Sequence, residues 1–154
     1  MIIKHALIAD AKELLALQKL SYLSEAAIYN DYTLEPLTQS LEQMLTDLEE
    51  KTVLKALIRD RLVGSVRAYL DHPTCYIGKL IVHPDLQGRG IGTALMREIE
   101  THFSNVQRFE LFTGHKSERN LHLYQKLGFT IFRTEPLTVW LTLLYLEKHA
   151  DSRL

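Results

Sequence analysis

The chain has 154 residues and a mass of 17.8 kDa, the size of one ordinary domain, so we expect a single domain over 1–154. Hydrophobic residues make up 46% of it and charged residues 24%, a composition that excludes a disordered or fibrous protein. The formal net charge is −1, which argues against a general nucleic-acid binder because such a protein needs a basic surplus.

The elements predicted from hydrophobic periodicity and turn residues follow a βααβββαβαββ order. In chain order they are a strand at 2–8, a helix from 10 to about 29, a loop at 30–36, a helix around 41–48, strands at 53–58, 62–70 and 75–82, a helix at 90–103, a strand at 108–112, a helix from 117 to 127, and strands at 129–133 and 138–146. Strands first pair as hairpins and then alternate with helices. This order predicts an α/β fold with one mixed sheet and helices on both faces.

Several local signals support these boundaries. Asp10 followed by Glu13 has the form of a capping box at the start of the first helix. Ser117 is a typical cap for the last helix, and Gly128 is a typical stop. In the second helix, apolar residues recur at i, i+3, i+4 and i+7: Leu41, Met44, Leu45 and Leu48.

Targeting and redox signals are weak. The single cysteine, Cys75, excludes an intramolecular disulfide and a multi-cysteine zinc site, and it is typical of a reducing cytosol. Lys4 and His5 interrupt the first apolar run, which therefore does not predict a signal peptide. The apolar run 139–146 is far too short to span a bilayer. We therefore expect a cytoplasmic protein without a membrane partner.

The most informative segment is the glycine-rich turn between the strand at 75–82 and the helix that follows. It contains Val82-His83-Pro84 and then Gln87-Gly88-Arg89-Gly90-Ile91-Gly92. Glycines let the backbone approach a ligand, and the first N–H groups of a helix carry roughly +0.5 charge, so the turn predicts a phosphate or pyrophosphate site. An isolated Gly-x-Gly-x-Gly can also be only a tight turn. Neither a Walker A triplet nor the dinucleotide-binding spacing is present.

This segment resembles the acyl-CoA-binding motif of the GNAT superfamily of N-acetyltransferases, Gln/Arg-x-x-Gly-x-Gly/Ala. A second block, Asn120 followed by Leu123-Tyr124-Gln125-Lys126-Leu127-Gly128-Phe129, is similar to the family's Asn…Tyr-x-x-x-Gly-Phe/Tyr ending. The spacing of the blocks and the element order agree over nearly the whole chain. The resemblance implies a GNAT-like fold, a mostly antiparallel sheet splayed at its middle, with acetyl-CoA as cosubstrate and no metal.

The resemblance also implies roles for individual residues. The CoA pyrophosphate would be held by backbone amides of Gln87, Gly88, Arg89, Gly90, Ile91, Gly92 and Thr93. Main-chain groups of Leu80, Ile81 and Val82 would bind the pantetheine arm, and the Leu80 amide would polarise the thioester carbonyl. Asn120 would contact the cofactor arm, and Tyr124 would sit near the sulfur and protonate the departing thiolate. Direct transfer in a ternary complex is expected.

Some residues keep a second interpretation. Tyr124 shares helical spacing with Leu121 and Leu127, so it could be a core aromatic. Cys75 lies three residues from His72, but a lone strand cysteine is usually a small buried hydrophobe rather than a nucleophile. The seven histidines show no recognised zinc spacing, and no metal site is predicted.

The general base stays open. Many family members carry a glutamate on the strand equivalent to 75–82, at the site of Tyr76 or Gly78, and this strand has no carboxylate. An alkylamine with a pKa near ~10.4 is protonated at neutral pH, so a proton acceptor is needed. The candidates are Asp71, His72, His83, Glu25 or Glu35 through water, and bulk water.

Charge is unevenly spread along the chain. The stretch 21–50 holds seven acids and no Lys or Arg, whereas 86–133 holds seven bases against four acids. The basic stretch suits a polyanionic cofactor. The acidic stretch predicts a cationic small-molecule acceptor such as a polyamine, an amino sugar or a lysine-like amine, unless its acids only solvate exposed helix faces.

The leading prediction is an acetyl-CoA-dependent N-acetyltransferase that acts on a primary amine. One alternative is a non-catalytic acyl-CoA-binding sensor or regulatory module, and another is an interaction domain whose glycine turn binds no cofactor. A homodimer through the apolar run 139–146 is a further hypothesis, although that run fits a core strand equally well.

Overall fold

The fold is known from a computed structural model, which describes residues 1–150. Its strands are β1 (Ile2–His5), β2 (Thr52–Ile58), β3 (Arg61–Asp71), β4 (Thr74–Val82), β5 (Arg108–Gly114), β6 (Thr130–Pro136) and β7 (Thr142–His149). Its helices are α1 (Ala11–Tyr29), α2 (Glu35–Thr38), α3 (Leu41–Glu50), α4 (Ile91–Thr101) and α5 (Glu118–Lys126), with 3-10 turns at Ile8–Asp10 and Pro84–Leu86. None of the helices within 1–150 is long and apolar enough to cross a membrane.

The strands form one sheet in the order β1-β2-β3-β4-β5-β7-β6. All neighbours are antiparallel except β4 and β5, which run parallel. Their pairing covers only 74–76 against 108–110, although β4 continues to Val82 and β5 to Gly114. The two strands therefore separate, and the predicted mixed sheet that is splayed at its middle is confirmed.

Helices cover both faces of the sheet, as the element order predicted. On one face, α4 buries its apolar side against alternate residues of β2 and β3, and Tyr124 of α5 joins the same cluster. Cys75 is fully buried in this cluster. On the other face, Ala11 and Leu14 of α1 pack with Met44 of α3 against β2. Alternation along the strands separates the two clusters, since successive side chains point to opposite faces.

A buried polar network ties α1 and α3 to the sheet. The Arg67 guanidinium of β3 is almost fully buried and donates to Asp47 at 2.8 Å, to Gln39 at 3.2 Å and to Gln18. Gln39 also donates to Asp47 at 2.8 Å. Removing one partner of such a buried charge typically costs about 3–5 kcal/mol, so this network holds both helices in place.

Asp10 and Ser117 stand at the predicted N-cap positions of α1 and α5, but neither side chain makes a capping hydrogen bond to its helix. The Asp10 carboxylate instead accepts hydrogen bonds from the Leu7 N–H at 2.7 Å and from the Lys55 ammonium at 2.7 Å, because Asp10 is the last residue of the 3-10 turn that precedes α1. The Ser117 hydroxyl makes no hydrogen bond to the N–H groups of α5, because it bonds to residues of α1 instead.

Two predicted segments also differ from the structure. The predicted loop 30–36 runs into the short helix α2, which begins at Glu35 with a proline in its first turn. The strand predicted over 138–146 begins only at Thr142, because a tight loop forms first. In that loop Leu137 N–H donates to Leu141 O at 2.9 Å, and the Thr138 hydroxyl accepts two backbone N–H groups.

Candidate active site

The glycine turn has the backbone geometry that a ligand-binding loop requires. Gly88 and Gly90 lie in the left-handed region, with φ of +78° and +84°. A Cβ at either position would meet no atom within 4 Å, so it would project into open space. Side chains are disfavoured in this conformation by roughly 1–2 kcal/mol. The turn therefore exposes bare backbone just before α4 begins at Ile91.

A cavity of about 490 Å³, which we call the glycine-turn cavity, opens beside this turn. All of the predicted cofactor residues line it except Arg89 and Tyr124: Leu80, Ile81, Val82, Gln87, Gly88, Gly90, Ile91, Gly92, Thr93 and Asn120. The Arg89 side chain is exposed and lies outside the lining. The wall thus joins the end of β4, the glycine turn and the first turn of α4.

Two helices complete the glycine-turn cavity with residues for which no cofactor contact was predicted, among them the base candidate Glu25. Helix α1 contributes Ser21, Tyr22, Ser24 and Glu25, and α5 contributes Arg119, His122, Leu123 and Lys126. The α5 residues recur at i, i+3, i+4 and i+7, so following that helical face would have found them. Arg119 donates to the Gln87 side chain, and the Ser21 hydroxyl donates to Val82 O at 3.2 Å. Arg119 and Lys126 give the cavity positive charge.

A second cavity of about 320 Å³, the splay cavity, fills the gap between β4 and β5. Its floor is formed by 77–80 of β4 and 111–114 of β5, and its walls come from α1, the segment 34–36, α5 and the β6–β7 loop. Tyr124 lines this cavity rather than the glycine-turn cavity. Its ring also belongs to the core cluster, as the core interpretation predicted.

A β-bulge lies where β4 passes between the two cavities. The register of β3 with β4 shifts between Ser65, which pairs with Ile81, and Arg67, which pairs with Gly78. One extra residue is accommodated in β4, and Lys79 adopts a left-handed φ of +49°. Bulges of this kind re-aim the following residue. Leu80, the next residue, lines both cavities.

The two cavities meet at a junction. The residues that line both are Tyr22, Glu25, Leu80 and Asn120. Three of these four belong to helices α1 and α5. A molecule in the glycine-turn cavity and another in the splay cavity would therefore touch at this point.

A chain of hydrogen bonds holds Glu25 at the junction. The Lys116 N–H donates to Tyr29 Oη at 2.9 Å, and Tyr29 Oη lies 2.7 Å from Ser117 Oγ. The Ser117 hydroxyl donates to Glu25 Oε2 at 2.6 Å. Since the serine proton goes to Glu25, the tyrosine must supply the proton between the two hydroxyls. Burial raises the pKa of Tyr29, which keeps that proton in place.

Glycine is required at position 114 for this chain of hydrogen bonds. A Cβ on Gly114 would lie only 2.1 Å from Tyr29 Oη. The absence of a side chain at the end of β5 lets Tyr29 reach across to Ser117, so the geometry at Glu25 depends on two separate segments of the chain, α1 and 114–117.

Two tyrosines near Glu25 keep their protons at neutral pH. Burial raises the pKa of Tyr124 well above its usual value of 10, and electrostatic interaction with Tyr22 and Glu25 raises it further. Burial followed by the charge of Glu25 also raises the pKa of Tyr22. Both phenols can therefore donate hydrogen bonds to an anion at the junction.

The structure separates the general-base candidates. Asp71 and His72 are exposed at the β3–β4 turn, and His83 bonds to Arg61 at 3.1 Å; none of the three lines either cavity. Glu35 lines the splay cavity, where it pairs with Lys79 at 3.0 Å. Among the five side chains proposed as the general base, Glu25 is the one that lies at the junction.

Most of the seven acids in the stretch 21–50 lie outside both cavities. Only Glu25 and Glu35 among them line the splay cavity, and Asp47 forms an ion pair with Arg67. Lys79 brings a positive charge into the same wall. Burial, followed by repulsion from Arg67, lowers the pKa of Lys79, while hydrogen bonding to Glu35 opposes that shift. Within 1–150, no three His, Cys, Asp or Glu side chains group in a way that could hold a metal ion.

Residues 10–129 match the Acetyltransferase (GNAT) family. The chain belongs to this family. It is 29% identical to the uncharacterized N-acetyltransferase ycf52 of Porphyra purpurea over 123 residues, 70% of this chain and 69% of that protein. It is 24% identical to the UPF0157 protein YqkA of Bacillus subtilis over 82% of this chain, and spans only 36% of that relative.

Solved structures share the GNAT fold. The structure of yncA from Salmonella typhimurium, which contains its cofactor acetyl-CoA, superposes with a TM-score of 0.79 at 22% identity and covers 98% of this chain and 94% of its own. At this identity the likeness concerns the fold alone. It agrees with the predicted GNAT architecture.

Proposed function

We propose that the protein transfers an acetyl group from acetyl-CoA directly to the nitrogen of a primary amine. The observation that carries this proposal is the meeting of two cavities at Leu80 and Asn120 within a GNAT fold. One cavity has a glycine turn and basic residues suited to a polyanion, and the other is open to an acceptor. Transfer requires both molecules to touch, which the junction allows.

The glycine-turn cavity would hold coenzyme A. Backbone amides of 87–93 would bind its diphosphate, and Arg119 and Lys126 would add positive charge. Main-chain groups of Leu80, Ile81 and Val82 would bind the pantetheine arm, where β4 no longer pairs with β5. Asn120 would contact the arm from α5. Arg89, which is outside the lining, would contribute only its backbone amide.

Residues at the junction, together with Tyr124 in the splay cavity, would carry the chemistry. The amine nitrogen attacks the thioester carbon, and the Leu80 N–H stabilises the charge that develops on the carbonyl oxygen. Such a donor contributes about 2.7–4 kcal/mol elsewhere. As the carbon–sulfur bond breaks, Tyr124 donates its proton to the sulfur. The raised pKa of Tyr124 supports this role only in part, because it keeps the phenol protonated but makes it a weaker acid.

Glu25 would accept the proton that the amine loses. Its carboxylate lines both cavities and is oriented by Ser117, and it would attract the ammonium form of the acceptor before transfer. We therefore propose a cationic small molecule as the acceptor, bound as its ammonium ion and deprotonated at the junction.

A thiol-release assay with acetyl-CoA and a panel of primary amines tests the transfer. We expect release that depends on both substrates. Heat of acetyl-CoA binding without amine-dependent release would favour the sensor alternative, and the absence of both would refute the proposal.

Tyr124→Phe tests the proton donor. We expect kcat to fall by about 100-fold while the Kd of acetyl-CoA changes by less than about twofold, because only the leaving group loses its donor. Tyr145→Phe, on β7 and outside both cavities, serves as the control. A larger loss in Tyr22→Phe with no loss in Tyr124→Phe would transfer the role to Tyr22.

A further inference from the structure

The splay cavity is polar at one end and apolar over most of its remaining wall. The polar end is the junction, where Glu25 and Asn120 lie. Away from it the lining also includes Tyr29, Thr113 and the Glu35–Lys79 pair, but most of the wall comes from apolar side chains: Leu34, Ile77, Leu111, Phe112, Leu137 and Leu141. A ligand that fills the cavity must therefore present a polar group at one end and hydrocarbon elsewhere.

We infer that the acceptor is a primary amine carried on an apolar body, such as a phenylalkyl or alkyl chain. This inference rests on the proposed function and names its substrate class. The ammonium group lies at Glu25, and the hydrocarbon lies between β4, β5 and the β6–β7 loop. The acceptor is a monocation, rather than the polyamine or amino sugar that the acidic stretch suggested.

The charges in the cavity wall fit one ammonium group and no more. Glu35 is paired with Lys79 at 3.0 Å, so the pair contributes no net charge, and Glu25 is left to match one positive charge. A second ammonium group on the same ligand would approach Lys79 or the apolar wall. Burying a charge without a partner is strongly unfavourable.

The apolar wall also disfavours a sugar. Hydroxyl groups that lose water need replacement partners, and each buried one left without a partner costs about 1–3 kcal/mol. Among the side chains that β5 and the β6–β7 loop contribute to the lining, Thr113 carries the one hydroxyl, and Leu111, Phe112, Leu137 and Leu141 offer no partner. Hydrocarbon binds to the same wall favourably, because it leaves water at the same time.

The apolar surface continues from the cavity to its mouth. Leu137 lines the cavity and is 53% exposed, and the two residues at the tip of the same loop, Val139 and Trp140, are 93% and 53% exposed. Exposed apolar groups that adjoin a pocket are typical of a binding surface. An apolar body too long for the cavity would therefore continue along this loop.

The test is a thiol-release assay with ethylamine, butylamine, hexylamine, 2-phenylethylamine, spermidine and glucosamine, with acetyl-CoA binding measured in parallel by calorimetry. We expect kcat/KM to rise by about fourfold per added methylene, the equivalent of ~0.8 kcal/mol per buried CH₂. We expect hexylamine and 2-phenylethylamine to exceed spermidine and glucosamine.

Each contrary outcome has a distinct meaning. A flat alkyl series, or a preference for spermidine or glucosamine, would overturn the apolar acceptor and leave acetyl transfer standing. No release with any amine would overturn the proposed function and this inference with it.

Leu137→Asn localises the effect to the cavity wall. It should lower kcat/KM for hexylamine by about tenfold and for ethylamine by less than about twofold, because only the longer chain reaches the loop. Leu20→Asn, an exposed leucine of α1 outside the lining, is the matched control and should change neither. Equal losses for both amines in Leu137→Asn would refute the proposed placement of the chain.

Discussion

The two cavities of this protein are built in different ways. The glycine-turn cavity is formed by three stretches of chain, 21–25, 80–93 and 119–126, and its most constrained part is backbone. The splay cavity is formed by six stretches between 22 and 143, and nearly all of its character comes from side chains. Recognition by backbone amides needs a local conformation, whereas recognition by side chains needs distant segments to meet.

The two cavities also differ in electrostatic character. Arg119, Lys126 and the start of α4 make the glycine-turn cavity suited to a polyanion. The splay cavity combines an apolar wall with Glu25. Because only four residues are shared, substitutions in one cavity should leave the other largely unchanged. Substitutions at the junction and in each cavity test this separation.

The largest effect is expected at the junction. Glu25→Gln should lower kcat at pH 7 by about 100-fold, because the ammonium group loses its proton acceptor. The defect should shrink as the pH approaches the amine pKa of ~10.4, where free amine forms without help. Steady-state kinetics across pH would measure this.

Two variants sharpen the interpretation of Glu25. Ser117→Ala should give a smaller loss in kcat with the same recovery at high pH, because the serine only positions the carboxylate. Glu42→Gln, an exposed residue of α3, is the control. A pH-independent loss in Glu25→Gln would show that the carboxylate has a structural role instead.

A smaller effect is expected at the glycine turn. Gly88→Val should weaken acetyl-CoA binding by about 30-fold, because a β-branched residue cannot hold this φ without strain of ~2 kcal/mol and the turn must rearrange. Gly78→Val is the matched comparison, since Gly78 also faces open space but has no positive φ and lines the splay cavity and not the glycine-turn cavity. It should leave acetyl-CoA binding within about twofold and change the KM of the amine. Equal losses of acetyl-CoA affinity in both variants would refute the separation of the cavities.

The smallest effect is expected from the basic face of α5. Arg119→Gln should weaken acetyl-CoA binding by about threefold at low salt, and less at high salt, because the contact is exposed and screened. Titration calorimetry at two ionic strengths would measure it. A loss that is independent of salt would indicate that Arg119 acts through its bond to Gln87 rather than through charge.

The sequence predicted the fold better than it predicted the site. Hydrophobic alternation and helical spacing located the strands and helices, because these patterns are local. Asp10 and Ser117 occupy the predicted N-cap positions, but their side chains make no capping hydrogen bond because they bond to other partners. Ser117 bonds to Tyr29 and Glu25, which lie 88 and 92 residues away.

The residues of the candidate site show the same difference between local patterns and contacts of distant segments. The residues around the glycine turn could be named from a motif of adjacent residues. Tyr22, Ser21 and the basic face of α5 were missed because they share no short motif with the turn. The general base could not be chosen, since Glu25 and four other side chains looked equivalent until the fold placed one of them at the junction.

By itself the sequence determined the order of the elements, the glycine turn and the family resemblance, because each depends on residues that are neighbours along the chain. Only the tertiary structure decided which carboxylate lines the glycine-turn cavity, that Lys79 offsets Glu35, and that the splay cavity is largely apolar. Those properties arise where β4 and β5 separate and α1 crosses them, and contacts between segments so far apart leave no periodic pattern in the sequence.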